Sequence, residues 1–166
     1  MKIHIGPYRK NRRVDVRIDK YDTWNMDSTL ALIICPMLVQ LKESKHGAPD
    51  IDLDDVPELL HPTRQELMEY TKTGSPDPKF FTRWDWILGE MVWAFEQKTR
   101  DWWEEDYLIQ EGEMDESIKV EHEGETLYQM TWKVPYIWDD AGRKAHQERM
   151  SNGFRLFGKY LESLWD

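Results

Sequence analysis

Residues 30–41, LALIICPMLVQL, are apolar on nearly every side of a helix, and this run restricts what the chain can become. A helix that is apolar all round cannot lie on a surface with one greasy stripe; other elements have to cover it. The run stops at Lys42 and Glu43, short of the about twenty residues a membrane span needs. The expectation is therefore a buried central helix in a soluble domain. Pro36 inside the run removes one backbone bond and crowds the preceding turn, which predicts a kink near Leu32–Cys35. The helix is expected to begin between Asn25 and Ser28, where Asp27 or Ser28 can cap it. It is expected to finish by Lys45 or His46, with Gly47 as a left-handed C-cap and Pro49 blocking continuation. Lys45 and His46 also suit the negative end of the helix dipole.

Before this helix, Ile3 and Ile5, then Val14, Val16 and Ile18, alternate with polar residues at the period of half-buried strands. Between them Arg9, Lys10, Arg12 and Arg13 form either a solvated turn or a loop that contacts anions. After it, residues 50–79 turn to acids, prolines and glycine. They read as a long surface connection with one short helix over 63–70, entered through Pro62 and left before Gly74. The alternate acids of 50–55 suggest a calcium loop, but the glycine and the terminal glutamate of such a loop are missing.

Residues 80–103 return to helical spacing, with Trp84, Ile87, Leu88, Met91, Val92, Phe95 and then Trp102 on one broad face. Residues 104–117 are an acidic stretch expected to be a solvated loop. Residues 118–122 and 126–134 alternate around Glu123-Gly124 as a β-hairpin, which can pair with the amino-terminal strands. A last helix spans about 141–164, with a seam through Met150, Phe154, Phe157, Leu161 and Leu164. Gly153 and Gly158 interrupt it, and close packing or ligand approach would account for them. The fold class predicted is α+β: three principal helices around a buried, Pro-kinked central helix, with a small antiparallel β-sheet, in a single domain of 166 residues.

A net charge of −10 argues against general nucleic-acid binding, which needs a surplus of cations to displace counterions from phosphates. The single cysteine, Cys35, lies in the apolar run as a small hydrophobe, so no disulfide forms within the chain and a reducing cytoplasm fits. No amino-terminal run resembles a signal peptide. Nine tryptophans are well above ordinary usage, and each large ring has to be buried or used for recognition, so most are expected in the core.

Motifs of known catalysis are missing: no Gly-x-Ser-x-Gly elbow, no Cys-x-x-Cys pair, no His-Glu-x-x-His helix and no glycine-rich phosphate loop. Asp22, Asp27, Asp85 and His46 can be offered for phosphodiester cleavage, but nothing in their spacing selects that over capping. The chain reads as a non-enzyme without cofactor or metal. What the sequence does offer is rings beside cations, the combination that holds a base by stacking and a phosphate by paired donors. Trp24, Lys45, His46, Arg83, Trp84, Arg149, Asn152 and Arg155 would make such a site if three helices converge. Packing for Trp84, capping for Lys45 and His46, and a solvated or ion-paired face for His146, Arg149, Asn152 and Arg155 stand beside that reading.

Several long words, Asp22-Thr-Trp-Asn-Met-Asp27, Lys45-His-Gly-Ala-Pro49, Arg83-Trp-Asp-Trp86 and the run from His146 to Gly158, resemble a widespread family of tailed-bacteriophage proteins. The similarity spans most of the chain from Val14 onward, and the 50–79 connection is individual to this sequence. The resemblance implies a phage origin and an intracellular, non-membrane role in the host cytoplasm, and carries no activity with it. Joined to the ring-and-cation set, it leads to the expectation of an anti-defence protein that sequesters a nucleotide-derived immune signal, such as a cyclic dinucleotide or an ADP-ribose derivative, with a homo-oligomer supplying boundary pockets. The alternative is an interaction protein that binds a host or virion protein through an acidic and aromatic surface. Pairing of Arg83, Arg155 and Lys45 with acids would favour the second.

Overall fold

The computed structural model describes residues 1–115, 119–128 and 131–165, with Tyr128 described by its backbone alone. The fold is α+β, as the alternation of the two periodicities predicts. The chain forms two compact units, residues 1–100 with 150–166, and residues 101–149.

In the first unit, β1 (Lys2–Ile5) and β2 (Val14–Arg17) pair antiparallel, Ile3 opposite Val16 and Ile5 opposite Val14. Helix α1 (Met26–Ser44) continues unbroken through Pro36. It begins within the expected range, but the capping differs: Asn25 stands at the N-cap without a side-chain bond, and Asp27 pairs with Lys98 at 2.6 Å. It finishes at Ser44, as expected, but without the glycine cap. Lys45 is extended at φ −57° and ψ 140°, and Gly47 does not take the left-handed conformation.

α1 is not the buried centre. Only Ala31 and Leu38 are buried along it, while Leu30, Leu32 and Met37 stay exposed. The central element is α3 (Phe80–Thr99), on which α1 packs. Trp84, Ile87, Leu88 and Met91 of α3 are fully buried, at the spacing that puts them on one helical face. The apolar run of α1 did not reveal this, because too few elements surround α1 to cover its second side.

Between these helices the supposed surface connection contributes to the core. Ile51 and Val56 are buried with α3, and a 3-10 turn over 53–55 carries a buried Asp55. Helix α2 (Arg64–Thr73) forms as expected: Thr63 and Glu66 make a reciprocal capping box, and Gly74 ends the helix at φ 70°. The final helix, α4 (Asp140–Lys159), contributes its residues 150–159 to this unit. A Cβ at Gly153 would lie 2.7 Å from the carbonyl oxygen of Glu90 and closer still to Ala94, so the missing side chain is what lets α4 approach α3.

The second unit holds a ribbon of three nested two-stranded ladders, together with the 3-10 turn Trp103–Tyr107 and residues 140–149 of α4. Strands β3 (Leu108–Gln110), β4 (Glu113–Asp115) and β5 (Lys119–His122) run out, and β6 (Glu125–Tyr128), β7 (Thr131–Val134) and β8 (Ile137–Trp138) return. The nested pairs are Leu108 with Trp138, Met114 with Trp132, and Val120 with Leu127. Glu123 and Gly124 turn the tip at φ 53° and 85°, the two positive angles of the tight hairpin turn that matches strand twist. The hairpin around Gly124 is therefore correct as predicted, although Ile118 and Met130 lie outside the described residues. Among the described residues each ladder consists of its own two strands and β1 pairs only with β2, so the expected pairing of this hairpin with them is not formed there. The acidic loop is corrected too: Glu113–Asp115 is strand, because pairing with β7 satisfies the backbone while the charges stay at the surface.

Candidate functional site

The residues expected to form a base-and-phosphate site stand in different surroundings. Trp84 is wholly buried and meets Tyr160 edge to face at 5.9 Å, which is core packing. Trp24, in contrast, is 81% exposed in the turn before α1. Lys45 bonds the carbonyl oxygen of Lys42 at 2.9 Å and pairs with Asp85. His46 and Arg149 are exposed and engage other groups. Arg83, 4% exposed, grips both oxygens of Asp77 at 2.6 and 3.0 Å and the carbonyl oxygen of Leu60 at 3.1 Å. Arg155 donates to Asp55 at 2.7 Å and to its neighbour Asn152 at 3.0 Å.

Arg83, Arg155 and Lys45 are thus each matched to an acid, and an anion would have to displace a carboxylate already bonded in place. The cavity beside Arg83, about 380 Å³, is also lined by Asp50, Glu66 and Asp77, which repel an anion. The acids offered for phosphodiester cleavage are similarly engaged. Asp22 holds the terminal amine at 2.8 Å, Asp27 holds Lys98, and Asp85 holds Lys45.

Around Asp55 the sequence concealed an interlocked cluster. Tyr160 donates to Asp55 at 2.7 Å, and Lys159 bridges Asp55 at 2.5 Å and Asp52 at 3.0 Å. The backbone amide of Asp52 in turn donates to the Tyr160 hydroxyl at 3.1 Å. Burial pushes the Asp55 carboxyl upward, but bonds from Lys159, Tyr160 and Arg155 outweigh it and hold the group below its usual range. Burial and the bond to Asp55 push Tyr160 up to about 12. The bonds to Asp55 and then Asp52 raise Lys159 as well. Every partner is internal, so this cluster ties the 50–55 segment to α4 rather than presenting a reactive group.

Two exposed surfaces remain. The first is an open groove of about 600 Å³ where α1 meets residues 157–165, lined by Ile34, Met37, Leu41, Phe157, Leu164 and Trp165 and, among the described residues, by no charged side chain. The second is the ribbon. Trp132 meets Tyr136 edge to face at 5.0 Å, Tyr136 stacks on Trp138 at 6.2 Å, and the Arg143 guanidinium lies 4.9 Å over Trp138. The Tyr136 ring rests so close to Gly112 that a Cβ there would fall within 2.6 Å of it. Trp132 is 52% exposed and Tyr136 44%, with Ile109, Leu127 and Ile137 exposed along the same strands.

The ribbon's base is ordered by Trp103 stacked on His146 at 4.2 Å, with Tyr107 hydrogen-bonded to His146 at 2.9 Å. His146 is therefore part of the support and not of a phosphate-binding row. Residues 101–149 carry fourteen acidic and five basic side chains, whereas the rest of the chain is nearly balanced at eighteen and seventeen. The net negative charge noted in the sequence is almost wholly local to this unit. Among the described residues no helix is long and apolar enough to cross a membrane, and no three His, Cys, Asp or Glu side chains gather as metal ligands. The chain matches no family model, no curated protein and no solved structure.

Proposed function

We propose that this chain is an interaction protein whose acidic, aromatic ribbon docks on a basic surface of another protein. The observation that carries the reading is the ribbon itself. A two-stranded ribbon has little stability of its own, and this one leaves aromatic and aliphatic side chains in water along its length. Its outer strand edges offer unpaired backbone groups, and its carboxylates would steer a cationic partner into place. If the phage origin implied by the sequence resemblance holds, the partner belongs to the host cell or to the virion.

Sequestration of a nucleotide-derived signal has less support, because the cations it needs are already neutralised. A photo-crosslinking residue placed at Leu127 during expression in the host tests the docking reading. The expected product joins Leu127 to a Lys- and Arg-rich segment of a second polypeptide, and Glu121→Lys with Glu125→Lys abolishes it. Yields no higher than from a crosslinker at exposed Glu58, paired with heat on calorimetric titration with cyclic dinucleotides, would reverse the choice.

A further inference from the structure

The amino-terminal hairpin has the opposite charge to the ribbon. Residues 1–20 hold seven basic and two acidic side chains. At its tip Arg12 donates to the Gly6 carbonyl oxygen at 2.8 Å and lies over the Tyr8 ring at 5.7 Å, which leaves the tyrosine 92% exposed. Arg9, Lys10 and Arg13 are exposed and make no ion pair among the described residues. On the ribbon, Glu111, Glu121, Glu123 and Glu125 are likewise exposed and make none. The single chain thus carries two unneutralised surfaces of opposite sign.

A nucleic acid would satisfy the hairpin's cations, but not its strands. Ile3, Ile5, Val14, Val16 and Ile18 are all exposed beside them. Such aliphatic rungs call for an apolar partner that also has carboxylates and an open strand edge. The ribbon has all three, in Val120, Leu127 and Trp132, in its free glutamates, and in its unpaired outer edges.

We infer that the amino-terminal hairpin of one copy docks on the acidic ribbon of a second copy, so that copies join head to tail. This adds a second copy of the chain to the host or virion proteins as a partner for the ribbon, and it rests on the docking reading above. Because the two surfaces differ, the contact is heterologous and grows into rings or open chains rather than stopping at a two-fold dimer.

Charge reversal in two separate chains tests it. Wild type should sediment at multiples of the 20.0 kDa chain mass. The variant R9E/K10E/R13E and the variant E121K/E123K/E125K should each be monomeric, since one then opposes acid to acid and the other base to base. Mixed in equal amounts they should associate again. All six positions are exposed, and circular dichroism confirms that the variants remain folded. A crosslinker at Tyr8 in a mixture of light and heavy isotope-labelled wild type should give light-to-heavy products with residues 101–149. A monomeric wild type at high micromolar concentration, a mixture that stays monomeric, or crosslinks confined to one isotope would each overturn the inference. A monomeric wild type whose Leu127 still crosslinks to a different basic protein in cells would leave the docking reading intact. Failure of Leu127 to crosslink to any polypeptide, its own copies included, would remove both.

Discussion

Asp55 shows how much depends on a side chain with no special mark in the sequence. It sits among alternate acids that suggest at most a metal loop, yet it is buried and receives Arg155, Lys159 and Tyr160 from the end of α4 and the residue after it, about a hundred residues away. Replacing Tyr160 with Phe removes a bond to a charged acceptor, and a loss of about 1.5–3 kcal/mol is expected in urea unfolding. The pH dependence has a definite sign. Tyr160 and Lys159 hold their protons more tightly folded than unfolded, so their contribution is complete below about pH 10 and declines as pH rises through the raised values. Asp55 is held below its ordinary range, so its contribution is present above about pH 4 and is lost on further acidification. Stability from this cluster is expected to be level between those limits. Urea midpoints above pH 10 should fall less steeply in Tyr160→Phe than in wild type, and equal slopes would discount the tyrosine. The cations chosen from sequence share the same difficulty. Charge type is legible at Lys45, Arg83 and Arg155, but the acids that neutralise two of them are 40 and 100 residues away. Only Asp77, six residues from Arg83, was within reach of local reasoning.

At the scale of elements, periodicity located the helices and misjudged their ranks. α1, α2, α3 and α4 arise where apolar spacing, Pro62 and Gly74 put them, since those signals act within a turn or two of the chain. Which helix is central depends on how many neighbours cover each side, and no local pattern contains that. The ribbon was half legible: Glu123-Gly124 marks its tip, but Glu113-Met114-Asp115 reads as a charged loop until β7 is opposite it. The two glycines of α4 give a clear test of element packing. Gly153→Ala drives a methyl group into Ala94 and the Glu90 backbone, an overpacking expected to cost about 1–3 kcal/mol. Gly158→Ala has nothing within 4 Å to strike, and the gain in helix propensity is expected to stabilise the chain by up to about 1 kcal/mol. Thermal or urea melts of the two variants should shift in opposite directions. A stabilised Gly153→Ala would mean that α4 does not approach α3 this closely.

On the whole-molecule scale, charge and burial divide along the same line. The unit around α3 holds the buried cluster and is close to neutral, while residues 101–149 expose their apolar strands and carry most of the acid. Such a division predicts unequal local stability, because a two-stranded ribbon with exposed apolar side chains has few buried contacts to lose when it opens. In dilute solution, amide hydrogens of Val120 and Leu127 should exchange far sooner than those of Ile87–Met91, which open only with global unfolding. Under conditions where copies associate, the hairpin and ribbon amides should gain protection together while those of α3 stay as they were. Mass-resolved exchange at two protein concentrations reads both effects in one experiment. Ribbon amides as slow as those of α3 in the dilute sample would show that residues 108–138 stand without a partner, and the physical reason for assigning them one would be gone.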